Sequence, residues 1–447
     1  MPNAGSVKLD MADIQGVVLR ERPSPYVGAY IFLRIDDPAS GRRLLGRLAD
    51  IVNSAQEWWG AGLPPLLNVA LSYRGLEAIG VPQSSLDSFP VEFREGMASR
   101  ADRLGDTGES APQHWDEPFG SADVHVMLAV FASAPEPLAV ALDLAHRARM
   151  KLPGIDVVGR LDFYQLPNGR GSFGFKDGIG NPEIEGSGAV GKPGQGPALK
   201  AGEFVLGYPD ETGSISTLQP PELGRNGTYV AWIKLHADEA AFRRFLRANS
   251  RSREEEELLA AKMMGRWRSG APLVLAPERD DPELGADPQR NNDFRYHDAD
   301  PQGLACPHGA HARRMNPRDS LEDDLAAVNV HRMIRRGTNY GPMLADDALE
   351  DDGAERGTAF VFIGAHLDRQ FEFVKAQWSN DGNFAELGSE KDPFTGSNDG
   401  VGTYTIPRRP VRRRLHGIPR FTLTRGGEYF FLPGISALRW LARLGNG

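Results

Sequence analysis

The sequence predicts an α+β fold with mostly antiparallel sheets, arranged as two units of similar architecture. Strand-like segments rich in β-branched and aromatic residues recur along the chain. Helices do not always separate them, as a parallel βαβ array would require. The same order of elements restarts after Pro221, although no close sequence repeat links the two parts. At 447 residues the chain has room for two or three ordinary domains and a large buried core.

Residues 26–35 (YVGAYIFLRI) read as the first strand and 38–51 as the helix that follows it. Residues 123–131 form a second strand. Ser133 then stands as the cap of a helix with Pro135 and Pro137 early and apolar positions at Leu138, Ala141, Leu142 and Ala145. Residues 155–164 are strand-like again. In the second part, 227–235 reads as a strand, 239–249 as a helix, 357–365 as a strand, 368–378 as a helix and 427–433 as the closing strand. Long Gly/Pro/Asp-rich connections at 186–202, 277–307 and 386–402 separate these elements, and connections of that length commonly carry function.

A hydrophobic content of 40% and a charged content of 25% belong to a globular protein rather than a disordered one. Lys and Arg number 51 against 60 Asp and Glu, a net charge of −9 that argues against nucleic acid as a partner. The single cysteine, Cys306, permits no intramolecular disulfide and is expected to be a small packed side chain despite its nearness to His308. The N-terminal residues have no charged and apolar pattern of a leader, and no stretch approaches the roughly 20 apolar residues of a membrane span. A cytoplasmic protein without membrane contact is the expectation.

Chemistry concentrates in Cys306-Pro307-His308-Gly309-Ala310-His311-Ala312-Arg313-Arg314-Met315-Asn316-Pro317-Arg318 and in His331-Arg332-Met333-Ile334-Arg335-Arg336-Gly337. A neutral imidazole can ligate a metal, and arginine offers a permanent charge in a planar fork of donors. Together they suit a metal-bearing anionic cofactor such as haem, with His308 and His311 both available as ligands. A second segment, Gly171-Ser172-Phe173-Gly174-Phe175-Lys176-Asp177-Gly178-Ile179-Gly180-Asn181-Pro182, sets one carboxylate among glycines. Asp177 is there either a general acid/base or a cap on backbone donors. Residues Gly169 to Gly174 also match the dinucleotide pattern G-x-G-x-x-G, but the Gly/Asp/Pro-rich stretch that follows cannot sustain the helix that pattern needs.

These residues resemble those of the dye-decolorizing peroxidases. Gly174-Phe175-Lys176-Asp177-Gly178 matches the family's G-x-x-D-G signature, and Ala310-His311-Ala312-Arg313-Arg314-Met315-Asn316-Pro317-Arg318 its A-H-x-R-x-x-N-P-R segment. Ile334-Arg335-Arg336-Gly337, Asp13-Ile14-Gln15-Gly16 and Gly426-Gly427-Glu428-Tyr429-Phe430-Phe431-Leu432-Pro433 extend the likeness over nearly the whole chain. The resemblance implies two ferredoxin-like domains, 1–220 carrying the G-x-x-D-G loop and 221–447 carrying the proximal histidine and distal arginine, with one haem b per chain in the C-terminal half. It makes His311 the axial iron ligand, Asp177 the distal acid/base beside Gly178, and Arg335 a charge stabiliser that also reaches a propionate. His308 falls outside the matching segment, and Arg318 is assigned a structural role.

The implied substrates are hydrogen peroxide and small organic reductants such as dyes and phenols. Tyr340 is the candidate surface electron relay, with Trp378 and Trp267 weaker ones. An ionised aspartate works in acid, where a histidine base would be protonated, so turnover is expected to be better in mildly acid than in alkaline buffer. Two alternatives accompany this assignment: manganese(II) peroxidase activity on the same scaffold, and a haem-binding or iron-releasing protein. The acidic runs at 254–257, 322–324, 346–347 and 351–352 could bind manganese but are expected to be solvated faces. The basic run at 408–414 is expected to balance local acidity. The oligomeric state is left open.

Overall fold

The structure, a computed structural model, describes residues 7–56, 65–189, 191–321 and 328–445. The acidic run at 322–324 lies outside the described residues. In the first half, strands β1 (Val27–Ile35), β2 (Leu66–Leu71), β3 (Val126–Ala132) and β4 (Ile155–Tyr164) pair in the order β2-β3-β1-β4. In the second half, β5 (Thr228–Ala237), β6 (Ile334–Arg335), β7 (Thr338–Tyr340), β8 (Gly357–Gly364) and β11 (Thr422–Leu432) place β5 between β11 and β8, with β6 and β7 against β8. The two halves meet through single pairs, Leu71 with Phe431 and Tyr164 with Asn339. With those two bridges the strands close into a barrel in which every ladder is antiparallel. A separate hairpin joins β9 (Gly402–Ile406) to β10 (Arg413–Ile418).

Alternation along each strand explains the closure. On β1, Tyr30 and Phe32 point into the barrel while Leu33 and Ile35 point outward, and on β5 Val230 and Trp232 point inward. Trp232 meets Phe32 at 4.9 Å and Tyr30 at 5.7 Å between ring centroids, so aromatic side chains from both halves fill the interior. The outer face of the first half is covered by α1 (Pro38–Ala49) and α2 (Pro135–Arg149). Asp37 caps α1 by accepting the Ser40 N–H, and Leu44, Leu45 and Leu48 bury its inner stripe. Each of those leucines contributes roughly 1.5–3 kcal/mol.

In the second half, α3 (Glu239–Ala248) is capped by Asp238 and α4 (Arg253–Met264) by Ser252. Short helix α5 (His311–Met315) follows the long 277–307 connection, and α6 (Ile435–Ala442) packs against α1. The α+β class and the antiparallel sheet agree with expectation, and several details differ. Strand β2 was not anticipated, because all six of its residues are buried and its sequence LLNVAL shows no alternation. Helix α2 begins at Pro135 with Ala134 in the cap position, and no side chain caps it, so the role given to Ser133 is not found. The 368–378 helix is wound with π-type hydrogen bonds over Asp368–Glu372 and Val374–Ser379, a form common at functional sites.

The acidic runs have structural partners. Glu256 and Glu257 pair with Arg247 and Arg268, Asp347 with Arg253, and Asp351 and Asp352 with Arg356. In the basic run, Arg408 and Arg413 donate to the carbonyls of Val411 and Asn249. Among the described residues no three carboxylate, imidazole or thiol side chains converge as a cation site, and no helix is long and apolar enough to cross a membrane.

Candidate active site

On the outer face of the second half's sheet, Ile233 and Leu235 of β5 and Phe360 and Phe362 of β8 floor a cavity walled by Phe371 and Val374 of the π-type segment. It encloses about 1630 Å³ of space, counting its open mouth. Asp177, Gly178, His311 and Arg335 all line it, so the fold brings the principal residues singled out by sequence to one place.

His311 opens α5, where Pro307 and the Ala310 N-cap end the preceding loop. Its Nδ1 lies 2.9 Å from Asp392 Oδ2 and 3.1 Å from Oδ1. Asp392 is fully buried, and its Oδ1 also accepts the backbone N–H groups of Phe394 (2.9 Å) and Thr395 (2.7 Å). Burial pushes this carboxyl's pKa up, but the His311 ring, Arg314 and the loop N–H groups outweigh it and hold it below the ordinary value. An ionised carboxylate can only accept, so Nδ1 of His311 is the donor in this pair, and Nε2 is the ring nitrogen left free of it. Asp392 is the partner of His311 that sequence inspection missed. Its one local signal is a threonine three residues on, which fits a side-chain-to-backbone turn, but the 386–402 connection contains another aspartate, Asp399, in a turn of its own.

The Gly174–Gly178 loop explains its own glycines, since both have φ near +80° (81° and 83°), a region other residues rarely enter. Asp177 Oδ1 accepts the Gly178 N–H at 2.7 Å, and Oδ2 accepts from Arg22 Nη2 at 2.7 Å. Arg335 stands on β6, where its backbone N–H donates to Asn181 Oδ1 at 3.0 Å and its Nη2 to the Ile179 carbonyl at 3.2 Å. The distal loop and the arginine strand are thus tied through Asn181. Burial lowers the Arg335 pKa, and the nearby Asp177 charge offsets part of that.

Arg266, Arg318 and Arg332 join Arg335 in lining the cavity. Among the described residues none of the four has a carboxylate ion-pair partner, and they hydrogen-bond instead to carbonyl and amide oxygens. Burial and its neighbours Arg335 and Arg318 push Arg332 down to about 9, and burial chiefly takes Arg266 to about 10. So dense an unpaired charge favours an anionic occupant. Arg318, expected to be structural, does bind the Gly194 and Phe294 carbonyls, at 2.9 and 2.8 Å, but it also faces the cavity.

The remaining candidates lie elsewhere. His308 is not among the cavity walls; it packs against the Gly303 turn, and burial lowers its pKa. Tyr340 is buried (4% exposed) rather than at the surface, because its side chain reaches past Gly357 of β8 to β5, where the hydroxyl donates to the Leu235 carbonyl at 3.1 Å. Trp267 and Trp378 are also buried. Cys306 is fully buried, which raises its thiol to about 11, consistent with a packed side chain. His331 was not given a role, yet it lines the cavity with its ring stacked 3.7 Å over Phe373.

Residues 13–145 match the family model described as the DyP dimeric alpha+beta barrel domain. The chain is 32% identical to dye-decolorizing peroxidase msp1 of Mycetinis scorodonius, over 98% of this chain and 88% of that one. It is also 32% identical to the dye-decolorizing peroxidase of Mycena epipterygia, over 92% and 83% of the two chains. Among solved structures, a fungal DyP-type peroxidase from Auricularia auricula-judae superposes with a TM-score of 0.85 at 28% identity, covering 98% of this chain and 100% of that one. A dye-decolorizing peroxidase in complex with 2,6-dimethoxyphenol superposes with a TM-score of 0.86 at 28% identity, covering 97% and 100%.

Proposed function

The chain belongs to the dye-decolorizing peroxidase family, and from that premise we propose that it binds one haem b in the His311 cavity and uses it to reduce hydrogen peroxide at the expense of dyes, phenols and similar one-electron donors. The observation that carries this is the convergence of the His311–Asp392 pair, Asp177 and Arg335, distant in sequence, on one cavity. The cavity's side chains fit the cofactor. A floor of Ile233, Leu235, Phe360 and Phe362 suits a flat apolar macrocycle, four arginines without carboxylate partners suit its propionates, and the His311 Nε2 lone pair suits iron.

When bound, haem supplies the iron and ring that take up two oxidising equivalents from peroxide. Asp177 accepts a proton from one peroxide oxygen and returns it to the other, which leaves as water. Arg335 stabilises negative charge on that departing oxygen. His311 is held in one tautomer by Asp392, which fixes the ring and raises the basicity of Nε2. Arg266, Arg318 and Arg332 orient the cofactor by its anionic edge.

Asp392→Asn is expected to lower dye turnover by about 10–100-fold and to shift the iron's reduction potential upward, as spectroelectrochemical titration would measure. An unchanged potential would mean that Asp392 does not act through His311. Arg332→Gln removes one of four crowded positive charges. It is expected to leave the haem-free protein as stable as wild type or more so, while weakening haem binding; thermal unfolding of the haem-free protein and haem titration measure the two effects. Steady-state kinetics with a dye, a phenol and Mn(II) test the choice of reductant. Oxidation of Mn(II) alone would overturn it.

A further inference from the structure

The Asp177 carboxylate has a partner that the chemistry above does not use. Arg22 follows the short N-terminal helix Gly16–Leu19, far from the distal loop in sequence, and its Nη2 lies 2.7 Å from Asp177 Oδ2. The guanidinium also sits over the Tyr26 ring, with Cζ 4.6 Å from the centroid. Tyr26 is itself buried and fixed, since its hydroxyl accepts from the backbone N–H and the side-chain amide of Asn339 at 3.3 and 3.2 Å. Arg22 is therefore built into the wall, with its side chain only 17% exposed, whereas that of Asp177 is 42% exposed.

Two chambers meet at this pair. Arg22, Asp177, Gly178, Lys176 and Asn181 line both the large cavity and a polar antechamber completed by Glu21, Ser24, Gln165, Arg336 and Asn339. A half-exposed aspartate on a glycine-flanked loop has little else to stop it turning toward solvent. Among the described residues its other oxygen is held by the N–H of the next residue, Gly178.

We propose that Arg22 is a positioning residue for peroxide reduction, anchoring the Asp177 carboxylate at the partition between the two chambers so that it faces incoming peroxide. The proposal rests on the role given to Asp177 above. The partners of Arg22 are the Asp177 carboxylate and the Tyr26 ring.

The test uses haem-loaded Arg22→Ala, Arg22→Lys, Arg22→Gln and Asp177→Asn proteins, with kcat/KM for hydrogen peroxide measured across pH. Arg22→Ala is expected to lose about tenfold in kcat/KM for hydrogen peroxide, with KM for the dye unchanged. Arg22→Lys is expected to recover most of the loss, and Arg22→Gln only the part not set by charge. A second readout is independent of turnover: in the haem-free proteins, the unfolding midpoints of Arg22→Ala, Asp177→Asn and the double variant should be non-additive. A wild-type kcat/KM for hydrogen peroxide in Arg22→Ala overturns the proposal, as does a loss that lysine does not rescue, and so do additive midpoints. If Asp177→Asn itself reduces peroxide normally, the Asp177 assignment falls, which is a distinguishable result.

Discussion

Replacing Asp177 with asparagine is expected to lower kcat/KM for hydrogen peroxide by about 10²–10⁴-fold, the range a positioned acid/base group supplies. The substitution keeps the shape and one acceptor oxygen but removes the ability to take a proton from one peroxide oxygen and give it to the other. Asp177 is suited to that shuttle because it stands half exposed on a glycine-flanked loop that lines the cavity, tied to Arg335 through Asn181 and the Ile179 carbonyl. Its amide counterpart should still bind haem, so the Soret band should be that of wild type. Stopped-flow mixing of the loaded variant with peroxide measures the effect. Retention of wild-type rates would remove Asp177 from the chemistry and leave Arg335 as the principal distal group. A protein that merely carries haem would keep its haem in this variant and show no peroxide-dependent turnover to lose in the wild type.

Replacing His311 with alanine is expected to abolish the axial bond and, with it, at least two orders of magnitude of turnover. The imidazole is held by both oxygens of a carboxylate that is itself fixed by three other donors, so the lone pair of Nε2 has one direction available. No other imidazole in the cavity has such support. His331 is stacked on Phe373 and bound through Nδ1 to the Arg369 carbonyl, and His308 lies outside the walls. The four arginines can retain some haem by its anionic edge, so haem content and axial ligation should be measured separately, by pyridine haemochrome assay and resonance Raman spectroscopy. If His308→Ala loses the axial bond and His311→Ala keeps it, the ligand assignment is wrong.

Much of the site was legible in the sequence because its parts are local. Gly174 and Gly178 announce a loop of positive φ around Asp177, and His311 sits in a dense run of arginines. What was not legible depends on the closed sheet. Asp392 reaches His311 only after the 386–402 connection folds back beneath α5, and Arg22 reaches Asp177 only because β1 and β4 carry the N-terminal segment to the distal loop. Tyr340 was misplaced for the same reason: proximity to Arg335 in sequence says nothing about β5 covering it. In the fold, the strands with alternating or β-branched patterns were readable, whereas β2, buried on both faces and without alternation, was not. The similar charge of Arg318 and Arg332 gave no hint that both face one cavity, since Arg318 is placed there by its bonds to Asn292 in the 277–307 connection and Arg332 by its bonds to Asn316 and Gly180.

The central claim is that one haem iron binds in this cavity on His311. Anomalous diffraction at the iron edge from crystals of the haem-loaded protein tests it most directly. The expected result is a single iron peak within bonding distance of His311 Nε2, in the cavity lined by Asp177 and Arg335. A peak on His308 or His331, or no iron in this cavity, would contradict it.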